Sequence, residues 1–96
     1  MATFIMLGSF TDQGIRSVKD TTKRADAFKE LAKGSGVTIN IYWTLGQYDI
    51  VAIAESPDDT TMTALGLALG KSGNVRTQTL RAFSASDMNA ILAKVT

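Results

Sequence analysis

Asp49 stands at the head of a nearly all-apolar run, Ile50-Val51-Ala52-Ile53-Ala54, with Tyr48 before it and Gly46 just upstream. A carboxylate in apolar surroundings can serve as a general base, because burial raises its affinity for a proton, and a neighbouring tyrosine or arginine can stabilise the anion that forms. Tyr42, Tyr48, Asp49 and Arg81 fall on three segments that read as strands, so a sheet can bring them within reach of one another, and Trp43 offers a stacking surface. These five residues are the ligand-binding candidates; no catalytic residue is assigned. Structural roles are open to them as well. Asp49 can accept N–H bonds from the Leu45-Gly46-Gln47 turn or pair with Arg76 or Arg81, Tyr48 can cover a strand end, and Trp43 can belong to the core or to an interface.

The composition narrows the chemistry. There is no cysteine and no histidine, which removes disulfides, thiolate nucleophiles, imidazole bases and the usual nitrogen and sulfur metal ligands together. Glu55, Asp58 and Asp59 could offer oxygen to a hard cation, but their place at a helix start explains them better, so neither a metal nor a cofactor is expected. Ten basic and nine acidic side chains are scattered along the chain for a net charge of +1, and no basic stripe marks a nucleic-acid or membrane partner. With 96 residues, 45% of them hydrophobic and 20% charged, the chain reads as one domain over residues 1–96 with a thin core. The opening Met1 to Gly8 lacks a basic flank and is too short for a signal or membrane segment, so a cytoplasmic protein is expected.

The elements that must position these residues follow from periodicity. Residues 2–9 form an apolar run rich in strand formers, with both faces apolar. From Thr11 to Lys33 the period lengthens, with Ile15, Val18, Thr22, Ala25 and Phe28 recurring every three to four residues, and one amphipathic helix is expected. Its Lys19, Lys23, Arg24 and Lys29 alternate with Asp20, Asp26 and Glu30 in the manner of a solvated face. Gly34-Ser35-Gly36 stops it, and Val37 to Thr44 then alternates strictly, as a half-buried strand does. Leu45-Gly46-Gln47 is a hairpin connection that returns Tyr48 to Glu55 antiparallel. A second helix follows, with Ser56 as cap and Pro57 at its first position; Met62, Leu65 and Leu69 form its apolar face, and Gly66 weakens it while allowing close packing. Residues 74–83 read as a fourth strand, and Ser84 to Asp87 as a capping box for a terminal helix whose Met88, Ile91, Leu92 and Val95 need a surface to lie on.

The order βαββαβ plus a helix is the ferredoxin-like α+β arrangement, four antiparallel strands with two helices on one side. Two helices cover one face only, yet the first and third strands are apolar on both, so a second protomer is expected on the open side and the chain is expected to be a homodimer at least. An RNA-recognition module shares this order but needs aromatic and basic residues on its central strands, where this chain carries Ile50, Val51, Ala52, Ile53 and Ala54.

Three segments together resemble a known family: Leu45-Gly46-x-Tyr48-Asp49, Glu55-x-Pro57-Asp58-Asp59 and Gly73-x-Val75-x-Thr77-x-Thr79, in this order over nearly the whole chain. The pattern resembles the GYD domain family of small bacterial and archaeal proteins, although here Gln47 separates the Gly from the Tyr. The resemblance implies a dimeric α/β-barrel of uncharacterised molecular function. Haem-degrading and chlorite-decomposing members of that superfamily use a histidine ligand, which this chain lacks. The expectation is therefore a self-associating protein that binds a small molecule in the cleft between sheet and helices. The alternatives are a cofactor-independent oxygenase or isomerase with Asp49 as base, and a purely structural unit whose cleft is packed shut by Trp43, Phe28 and Leu69.

Overall fold

The backbone N–H and C=O groups of an apolar strand need partners on both edges, and β1 (Ala2–Phe10) is a central strand that has them. In the computed structural model, which describes all 96 residues, β1 pairs antiparallel with β3 (Ile50–Ser56) on one side and β4 (Val75–Ala82) on the other. β2 (Thr38–Trp43) pairs antiparallel with β3, so the sheet runs β2-β3-β1-β4. Helices α2 (Thr21–Gly34) and α3 (Asp59–Lys71) cross over on one face, completing the ferredoxin-like fold. No helix is long and apolar enough to cross a membrane.

Register assigns the faces. Phe4, Met6, Ile39, Ala52 and Ala54 point toward the helices and are buried with Phe28 and Ala32 of α2 and Met62 and Leu65 of α3. The opposite face carries a row Ile53–Ile5–Leu80 across three strands, with Val51 and Leu7 beside it. No helix of the chain covers it: Ile53 and Leu80 are 42% and 41% exposed.

The single helix expected over Thr11 to Lys33 is three pieces: α1 (Asp12–Arg16), a 3₁₀ turn (Val18–Asp20) and α2. The 3.6 and 3.0 periods cannot be told apart over three residues, so the apolar spacing runs through the break unmarked. The cause is tertiary. Gly14 is pressed against the start of β4, where a Cβ would lie 1.9 Å from the Asn74 carbonyl oxygen. Thr11 N–H donates to the same oxygen at 3.1 Å, and Ser17 leaves the helical conformation so that the chain can turn back over the sheet.

The cap of α3 also lies two residues beyond the expected Ser56. Asp58 accepts the Thr61 N–H at 2.8 Å, while Ser56, fully buried, donates its hydroxyl to the Asp58 carbonyl. That N–H bond holds the Asp58 carboxyl below its ordinary pKa. Gly66 does not serve close packing: a Cβ there would meet nothing within 4 Å. The Ser84–Asp87 capping box is present as expected and depresses the Asp87 pKa through the Ser84 N–H.

The helix that it opens, α4 (Ala85–Leu92), has no buried residue, and Met88, Leu92 and Val95 stand in solvent. The radius of gyration records the projecting arm: it is 14.6 Å, against about 12.5 Å for a compact chain of this length.

Candidate functional site

Small residues shape a cleft between the sheet and its helices. Gly8 and Ala52 on the sheet face Ala25 of α2 and Ala68 of α3, and the space they leave is a cavity of about 400 Å³ between the sheet and the two helices. Gly8 cannot easily be larger, since a Cβ would lie 3.0 Å from Val75 Cγ1. The floor and walls are apolar, with Met6, Phe28, Ile41, Ile50 and Leu69 among them, and Phe28 and Leu69 line the cavity instead of packing it shut. Its size is within the ordinary range for small-molecule pockets.

Polar side chains gather at one end, where β1 finishes, β3 and β4 begin, α2 starts and α3 stops. Thr21, Arg24, Ser72, Asn74 and Thr77 line the cavity there, and no Asp or Glu does. Arg24 is half-buried rather than part of the solvated face expected for it. Its Nη1 donates to the Ser17 carbonyl at 2.8 Å and to Ser17 Oγ at 3.2 Å, and its Nη2 to the Gly14 carbonyl at 3.4 Å. The interspersed acids made Arg24 look like its neighbours. The signal that sets it apart is its place one turn before Phe28, on the edge of the buried stripe of α2.

The five candidates are spread over both faces and both ends of the sheet, and none lines the cavity. Trp43 comes nearest, since its indole N–H donates at 3.0 Å to Thr21 Oγ1 at the polar end. Tyr42 lies on the open face opposite Val51. Tyr48 is half-buried at the rim, its hydroxyl 3.4 Å from Gln78 Oε1.

Arg81 sits at the far end of the sheet, opposite Phe4, where its guanidinium stacks 4.7 Å from the Phe83 ring centre and 5.5 Å from that of Phe4. Its Nη1 donates to the carbonyls of Thr3 and Ala82. Asp49 is bonded near Phe10, six residues further along β1 and so roughly 20 Å away at 3.4 Å per residue. Arg81 and Asp49 therefore do not meet. No cluster of three or more carboxylates is placed to hold a metal ion.

Comparison with known proteins places the sequence in a family. Residues 4–92 match the GYD domain family. The chain belongs to the GYD domain family. A Thermus thermophilus protein named glutamine synthetase and cystathionine beta-lyase binding protein is 36% identical to it over 94 residues, 96% of this chain and 99% of that one. No solved structure matches the chain.

In this GYD domain the signature residues hold a strand end together. Gly46 adopts a φ of 105°, open to glycine and strained for other residues, at the tip of the β2–β3 connection. The loop closes through Thr44 N–H to the Asp49 carbonyl at 2.8 Å and Thr44 Oγ1 to the Tyr48 carbonyl at 2.6 Å. Asp49 N–H then continues the ladder to the Gly8 carbonyl, and its Oδ2 accepts the Phe10 N–H at 2.9 Å. β1 outruns β3 at this point, and the carboxylate supplies the acceptor that the next β3 carbonyl would have been.

Proposed function

We propose that this GYD domain is a non-catalytic binding protein that works as a self-associated unit and takes a small molecule into the cleft between sheet and helices. The observation that carries this reading is the cleft itself: about 400 Å³, apolar inside, polar at one end and lined by no carboxylate that could act as a base. Self-association is supported by two unpartnered apolar surfaces. One is the Ile53–Ile5–Leu80 row with its polar border of Thr3, Glu55 and Gln78, a layout common in protein interfaces. The other is the projecting α4, which a partner's surface would cover. Tyr42 and Tyr48 belong to the first surface as aromatic rim residues, and Trp43 guards the polar end of the cleft. Asp49 and Arg81 act as structural ties. The natural setting is the cytoplasm.

Likeness to the Thermus protein favours a second, compatible role, the binding of a metabolic enzyme at the outer surface. Glutamine synthetase and cystathionine beta-lyase are the partners to test. Light scattering at micromolar concentration is expected to return at least twice the 10.3 kDa chain mass. A monomeric mass overturns self-association. Purified glutamine synthetase or cystathionine beta-lyase, passed over the immobilised protein, is expected to bind saturably. Absence of binding by both overturns the second role and leaves the cleft reading standing.

A further inference from the structure

We propose that the cleft selects a small apolar molecule carrying one carboxylate, with Arg24 as its counter-ion; this deepens the small-molecule reading above and rests on it. Arg24 is the only charged residue in the lining, and it is half-buried at the polar end. Its hydrogen bonds all go to neutral oxygens of Ser17 and Gly14. These use three of the five N–H hydrogens of a guanidinium and leave two with no partner in the structure, so a second acceptor group can join without displacing the first. A half-buried cation held by neutral oxygens at the edge of an apolar chamber is better compensated by an anion than by water alone.

The neutral groups around Arg24 are biased the same way. Thr21 Oγ1 already accepts the Trp43 indole N–H, so its hydroxyl hydrogen is free to donate. Asn74 Oδ1 accepts from Gln13 Nε2 at 3.0 Å, which leaves the Asn74 amide hydrogens as donors. The mouth also receives the C-terminus of α3, whose carbonyls would repel an anion. The Leu69 carbonyl, however, is bonded by both the N–H and the hydroxyl of Ser72, and Lys71 lies in the last turn. One cation with neutral donors matches a single negative charge. An amine would meet the Arg24 charge with no carboxylate to pair with, and a neutral alcohol could accept a guanidinium hydrogen but would leave the charge uncompensated.

Octanoate and octan-1-ol test this directly, because they share an apolar body and differ in the charge of the head. Both are titrated at neutral pH into the unmodified protein and followed by amide chemical shifts of Ala25, Phe28 and Ala52. Octanoate is expected to bind about tenfold more tightly, the scale of one charge-assisted pair. Arg24→Gln is expected to bring the two affinities together and Arg24→Lys to restore part of the gap, while Ala68→Phe, which fills the cleft from an exposed helix position, weakens both ligands. Equal affinities on the unmodified protein, or an octanoate preference that survives Arg24→Gln, overturn the anion inference. If octan-1-ol binds and Ala68→Phe removes it while octanoate shows no advantage, the anion inference fails and the cleft reading stands. If neither ligand shifts those resonances at millimolar concentration, both fall.

Discussion

On the helix-facing side of the sheet, Phe4, Met6, Ala52 and Ala54 are buried, yet the layer is not filled: small side chains on strands and helices leave the cleft. On the opposite side stand Ile5, Leu7, Val51, Ile53 and Leu80, with no alanine or glycine among them, and no helix of the chain lies over them. The same four strands supply both faces, because neighbouring residues point to opposite sides. Cover and filling therefore differ: on the covered face Gly8, Ala52 and Ala54 stand among Phe4, Met6 and Ile39 and leave room, whereas the uncovered face is a continuous patch of Ile, Leu and Val. The covered face holds the fold together around a space, and the open face is the one suited to assembly.

Substitutions on the two faces are expected to be read out differently. Met62→Ala, deep on the covered side at 1% exposure, removes core packing and is expected to lower stability by about 3 kcal/mol in urea unfolding, at every protein concentration. Ile53→Lys places a charge at one end of the open apolar row, where a lone protomer can solvate it. It is expected to leave the folded circular-dichroism spectrum in place and to lower the mass by light scattering to that of one chain. If Ile53→Lys instead unfolds the protein as Met62→Ala does, the two faces share one role and the comparison fails.

A smaller effect probes the end of the sheet where both faces meet. Asp49→Ala deletes the acceptor for the Phe10 N–H and is expected to cost about 1 kcal/mol, whereas Asp49→Asn keeps an acceptor oxygen and retains most of the stability. Equal losses for the two variants in thermal unfolding would show that charge, not the hydrogen bond, is what Asp49 contributes.

The smallest effect is on the helix starts. The Thr61 N–H holds the Asp58 pKa low, and the Ser84 N–H does the same for Asp87. A carboxyl with a depressed folded-state pKa stabilises fully above its unfolded value, here 3.8, and loses that contribution as pH falls through the lower folded value. Helical circular dichroism is expected to hold from neutral pH down to that point and to decline modestly below it. α4 should be the more sensitive of the two helices, because no packing holds it once its cap is gone.

Residues close together in the chain were enough to read the strands, the hairpin at Gly46, the Ser84 capping box, the face shared by Val37, Ile39 and Ile41, and the family signature. Each depends on spacing of a few residues, and the physics of a helix turn, a pleat or a cap acts over that distance. What the tertiary structure alone decided lies at longer range. Asp49 answers to Phe10, 39 residues away, and Gly14 is placed by the backbone of Asn74, which is why an unbroken apolar period became a broken helix. Arg24 had the sequence surroundings of a solvated lysine, and only the folding of α2 over the polar end of the cleft turned it into a half-buried cation. A sequence states which side chains share a face, but the space between two faces depends on how far apart the backbones come to rest, and that is set by all the packing contacts at once.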